Sequence, residues 1–249
     1  MNKKAKKISR KTLILLAVAV VMFCAGGIMT ARAQLGIFSS DINSEFGMDD
    51  IDVVLTENGA QVNTEGDEDA GRLMADLEGE ILPGRSYDEK IAAENKGAAD
   101  EYVRIRITKY WKNAKGKKNA KLDPSLIELT YGDSSYNSGA WQRNKAESTT
   151  ESETYYYSRK LSPGSATEPL MSRFRISDRI TSEEDGNYKV TEKKVGNKTV
   201  YTYEYIYDGY RACVEADVQS IQTHNGNDAI ESLWGVTNVK SSDGGLVVQ

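Results

Sequence analysis

Strict alternation of apolar and polar residues leaves this chain few ways to fold. Glu101 to Trp111 reads EYVRIRITKYW, with Val103, Ile105 and Ile107 on one side and Arg104, Arg106 and Thr108 on the other. A period of two belongs to a strand with one buried face, because successive side chains leave a pleated backbone in opposite directions. Thr199 to Tyr207 (TVYTYEYIY) places Tyr201, Tyr203, Tyr205 and Tyr207 together, and Tyr210 to Ile221 groups Ala212, Val214, Ala216 and Val218. Asp208-Gly209 between these two runs predicts a hairpin. Shorter strands are expected near 51–55, 87–94, 126–131, 154–160 and 170–176. Leu82-Pro83-Gly84 and Ser162-Pro163-Gly164 offer the residues that the central positions of a type II turn demand. Short strands punctuated by turns predict an all-β antiparallel sandwich or barrel. One short helix is expected toward the C-terminal side. Asn227 or Asp228 can cap it, and Ile230, Leu233 and Trp234 then fall at i, i+3 and i+4.

The N-terminus has a different pattern. Lys3, Lys4, Lys6, Lys7, Arg10 and Lys11 precede an almost wholly apolar run from Leu13 to Met29, and Ala31-Arg32-Ala33 follows. A basic start, an apolar middle and small residues at the end make a secretory signal peptide. Residues 1–33 are therefore expected to form a signal-peptide helix, cut after Ala33 to leave Gln34 at the new terminus. The other reading is an uncleaved anchor, since an apolar run of about 17 residues lies at the lower limit for spanning a bilayer. The Gly26-Gly27 break and the Ala31/Ala33 pair favour cleavage. At the other end, Gly244 to Gln249 has neither a wall-sorting motif nor an apolar tail, so no covalent wall attachment is expected there. Residues 34–48 then form an N-terminal segment, and 49–249 the β domain.

Cleavage changes the charge. The chain carries 32 Lys and Arg against 37 Asp and Glu; the leader holds seven of the bases and no acid, which leaves 25 against 37, a net charge of −12. Such a surface repels nucleic acid and anionic lipid. Contact with a membrane is expected only through an uncleaved leader. Cys24 departs with the leader, so Cys213 has no intrachain partner for a disulfide and the domain must rest on its hydrophobic core.

No residue pattern calls for catalysis or a cofactor. His224 is the one histidine, which excludes an HExxH helix or a multi-histidine zinc site. Asp49, Asp50 and Asp52, like Glu65 to Asp69, could offer oxygens to calcium, but neither group follows the EF-hand order and a solvated acidic loop is the simpler reading. Lys115, Lys117, Lys118 and Lys121 are a candidate polyanion loop, with a hairpin tip as the alternative. Cys213 alternates with Arg211, Glu215 and Asp217, on the polar side of its strand. The tyrosine stripe could stack on glycans, but tyrosine also suits a partly buried sheet, and that reading is preferred.

The stretch just after the cleavage site interleaves Leu35, Ile37, Phe38, Ile42 and Phe46 with Ser39, Ser40, Asp41, Asn43 and Ser44. Burying the apolar members against a sheet recovers roughly 1.5–3 kcal/mol per large side chain. That sheet can be the chain's own, or the exposed edge of a neighbouring subunit that accepts the segment as a donor strand.

The leader together with ILPGRSYDEKIAAENKGAADEYVRIRITKYW at Ile81–Trp111 resembles the TasA/camelysin-like family of proteins exported through SipW-type signal peptidases. Trp141, then YYYSRKLSPGSATEPL at Tyr155–Leu170 and VQSIQTHNGNDAIESLWGV at Val218–Val236, extend the similarity in order along most of the chain beyond the leader. The resemblance implies a jelly-roll-like β-sandwich, secreted by a Gram-positive bacterium to the cell surface or biofilm matrix. It also implies self-association into fibres, or association with another matrix protein, with the segment from Gln34 to about Phe46 donated to the next subunit. The chain departs from the family's fibre former in a long middle insertion and in its own N-terminal residues. Metalloprotease activity, described for camelysin-like members, is the least favoured expectation, because the sequence has no zinc motif. A monomeric surface module binding glycans or wall polymers is the alternative expectation.

Overall fold

The computed structural model describes residues 51–62, 73–74, 81–132 and 139–249. In chain order the strands are β1 (Val53–Glu57), β2 (Ala60–Gln61), β3 (Ser86–Asn95), β4 (Glu101–Asn113), β5 (Ile127–Tyr131), β6 (Trp141–Asn144) and β7 (Ser152–Tyr157). They continue as β8 (Met171–Ile176), β9 (Tyr188–Val195), β10 (Lys198–Tyr205), β11 (Tyr210–Gln222), β12 (Val239–Ser242) and β13 (Gly245–Val248). One short helix, α1 (Gly226–Ala229), runs on into a wider π turn over Ile230–Trp234. The chain is thus mostly β, and every strand pairing among the described residues is antiparallel.

The order β2-β1-β3-β8-β5 makes one sheet and β11-β4-β7-β6 another. In the second, β4 and β11 pair without a slip from Glu101↔Gln222 to Asn113↔Tyr210. The period of two fixes that register, since a one-residue shift would turn Val103, Ile105 and Ile107 out to water. All three are buried, in one cluster with Trp111, Tyr155 and Val214 of their own sheet and Leu55, Ile91, Ala93, Ile127, Met171 and Phe174 of the other. Two antiparallel sheets therefore share a single core, as expected from the sequence. Both Pro-Gly turns also form: Arg85 N–H donates to Leu82 O and Ser165 N–H to Ser162 O, with Gly84 and Gly164 at positive φ.

The C-terminal segment covers part of the outer face of the second sheet. Ile230, Trp234, Val239 and Leu246 pack there on Tyr102, Tyr156 and Ile221. Two glycines permit the close approach. A Cβ on Gly245 would meet the Ser158 carbonyl oxygen at 1.9 Å, and one on Gly226 would meet Tyr102 Cε2 at 2.7 Å.

The expected Asp-Gly hairpin does not form. β10 pairs with β9 across Gly196-Asn197, while β11 pairs with β4, so Asp208-Gly209 joins strands of different sheets. The reason is burial: β11 gains a core face on β4 that β10, exposed throughout, could not offer. Tyr207 consequently leaves the tyrosine stripe. It is buried, its ring edge-on to Trp111 at 4.9 Å. Tyr201, Tyr203 and Tyr205 are instead 56%, 54% and 46% exposed, which overturns the partly buried sheet expected for them. The helix differs in two respects as well. Its N-cap position is Asn225, which makes no side-chain cap bond, and Asn227 and Asp228, expected to cap it, lie inside it. The wider turn keeps Ile230 and Trp234 on the buried side but swings Leu233 out to 57% exposure.

Candidate functional site

The residues expected at the signal-peptidase cut (Ala31, Ala33 and Gln34) and in the donor strand (Leu35, Ile37, Phe38, Ile42 and Phe46) lie outside the described residues, as do Asp49, Asp50 and Glu65 to Asp69. Asp52 and His224 are exposed. Among the described residues no group of three potential metal ligands gathers.

The lysine loop follows the end of β4. Asn113 Oδ1 accepts the backbone N–H groups of Lys115 and Lys117 at 3.0 Å each, and Asn119 Oδ1 accepts that of Lys121 at 3.1 Å. These Asx-type bonds hold a tight turn from which Lys115, Lys117 and Lys121 project. Lys118 instead folds back, paired with Glu151 and lying 5.3 Å from the centroid of the Tyr110 ring.

A second surface surrounds a cleft of about 380 Å³, lined in part by Lys90, Tyr157, Arg159, Thr167, Glu168 and Ser172. Glu168 organises it. Its carboxylate accepts the Tyr157 hydroxyl and Arg159 Nη1, both at 2.5 Å. Burial alone would raise the carboxyl's pKa, but these bonds and the Arg159 charge hold it below the ordinary range. Burial, then the bond to Glu168, pushes Tyr157 up to about 12. The phenol, the guanidinium and the carboxylate bond to one another and brace this wall of the cleft.

The third surface is the strand β11. It is 13 residues long, has β4 on one side and forms the edge of its sheet. In an antiparallel edge strand half of the backbone groups point outward. Among the described residues no backbone hydrogen bond reaches those of β11 from its outer side. Cys213, Glu215 and Asp217 stand on the polar face beside Tyr110, Thr108 and Arg106 of β4, the face that the sequence assigns to them. Tyr110 Oη donates to Glu215 Oε1 at 2.5 Å, and this bond, with burial, raises the phenol's pKa well above its usual value. The strip is charged and accessible, and among the described residues no strand other than β4 pairs with the backbone along its border.

No family model, curated protein or solved structure matches this chain.

Proposed function

We propose that this chain is a secreted structural protein of the cell surface or biofilm matrix, TasA/camelysin-like, built on a jelly-roll-like sandwich and joined into fibres by donor-strand addition. The observation that carries the reading is the outer edge of β11, where, among the described residues, no strand pairs with the backbone donors and acceptors. Gln34–Phe46 spans 13 residues, the length of β11, with Leu35, Ile37, Phe38, Ile42 and Phe46 interleaved among polar groups. Backbone pairing would supply affinity, and the apolar side chains would select the register. A contact between two different patches that repeats without closing yields a filament rather than a ring. The SipW-type peptidase is the export partner in this reading, and no catalysis is assigned.

Deleting Gln34–Phe46 tests it. Electron microscopy of the secreted protein should find fibres only for the undeleted chain, with the β domain folded in both. N-terminal sequencing should start at Gln34. Fibres that survive the deletion rule out donation by this segment.

A further inference from the structure

We infer that the β9–β10 ribbon is a second assembly element, one that docks onto the acidic body of another copy of this chain independently of any donated strand. The ribbon is two eight-residue strands joined by Gly196-Asn197. Apart from Tyr188, all of its strand residues are exposed. At about 3.4 Å per residue it reaches some 27 Å. A two-stranded ribbon that packs on nothing is at best marginally stable in water.

Both of its faces carry apolar groups. Directly opposite residues in the register share a face, which puts Val190, Tyr201, Tyr203 and Tyr205 together, with Tyr188 against Tyr203 and Tyr205 at 5.7 and 5.6 Å between centroids. The reverse face sets Val195 and Val200 among Lys189, Lys193 and Lys198. An exposed apolar strip flanked by polar groups marks an interaction surface, and tyrosine is favoured there because it buries a large ring while keeping its hydroxyl wet.

Charge selects the occupant. The ribbon has four lysines and two glutamates, a net +2, in a chain whose total is −5. Ribbon therefore repels ribbon but is attracted to the remainder of a second molecule. A polysaccharide chain could stack on the tyrosine face, yet it would leave Val195 and Val200 wet. A folded protein surface can cover both faces and pair an edge.

Sedimentation velocity over a wide concentration series provides the test, on the full chain and on the chain lacking Gln34–Phe46. Association should appear in both and weaken with salt. The triple variant Y201S/Y203S/Y205S and, separately, K189E/K193E/K198E should each weaken it by at least about tenfold. Melting temperature should not change, because the ribbon contributes nothing to the core. Hydrogen exchange of ribbon amides should slow as concentration rises. Undiminished association of both variants overturns the inference, as does ribbon protection independent of concentration, which would mean the molecule covers its own ribbon. Tyrosine-dependent binding to alginate without self-association overturns it too and assigns the ribbon to a glycan. Fibre loss on deletion and ribbon-dependent association are separate readouts, so either proposal can fail alone.

Discussion

The Arg104 guanidinium lies over the indole of Trp234, Cζ 5.0 Å from the ring centroid, and joins the C-terminal segment to the second sheet. Its Nε and Nη2 donate to Gln219 Oε1 at 3.0 and 2.7 Å, its Nη1 donates to the Tyr156 hydroxyl at 3.2 Å, and Glu147 lies 3.5 Å away. A planar fork can stack and bond in several directions at once, which an ammonium cannot. Arg104→Lys should therefore cost about 1.5–3 kcal/mol, read from the midpoint of urea unfolding. A variant as stable as the parent would show that the stack contributes nothing.

Glu101 makes a pH-dependent contribution. Its carboxyl is fully buried, accepts Asp52 N–H at 2.7 Å, and has its pKa raised above 4.5, chiefly by burial. The unfolded chain loses this proton first as pH rises, so the folded state is penalised progressively between the ordinary and the raised value. Glu101→Gln has no proton to lose. Its stability relative to the parent should climb as pH rises through that window, in unfolding curves recorded from acid to neutral pH.

Gly245→Ala should detach the C-terminal hairpin. The new methyl would overlap the Ser158 carbonyl oxygen, and φ of +149° already lies where side chains are strained. The Leu246 N–H to Ser158 O bond, 3.2 Å, is the contact to be lost. Exchange of the β12–β13 amides should accelerate by orders of magnitude while those of β3 and β8 stay protected.

Tyr207 contributes through both ring and hydroxyl. The Asp123 backbone N–H donates to its oxygen at 3.1 Å while the Trp111 indole N–H donates to the Asp123 carbonyl at 2.8 Å. Tyr207→Phe should cost about 1 kcal/mol, and Tyr207→Ala about 3–5 by leaving a cavity beside Trp111. Thermal melts of the pair separate the two contributions.

Strands that face the core were legible in the sequence because burial imposes the period of two, as in Val103, Ile105 and Ile107. Pairing was less so. Asp208-Gly209 carries the stronger local hairpin signal, yet the buried face of β11 on β4 outweighs it, and the weaker Gly196-Asn197 makes the tight turn. β9 went unread although Gly196-Asn197 between alternating runs could have disclosed it, because Lys193 and Lys194 interrupt its apolar rhythm. Leu233 was misplaced by assuming ordinary helical geometry where the turn widens. The edge position of β11 is a property of sheet order, and no local pattern in the strand announces which of its sides takes β4. His224 and Cys213 lie where their polar neighbours placed them.

The β4–β11 ladder also sets a timetable. Glu101 waits for Gln222 and Asn113 for Tyr210, partners roughly a hundred residues further along, and distant pairings of this kind make folding slow. Synthesis releases β4 long before its mate, so Val103, Ile105 and Ile107 must spend that interval beside β7 alone or in the care of a chaperone. A molecule whose long inner strand pairs with one so much later in the chain stays unfinished until that later strand has been made.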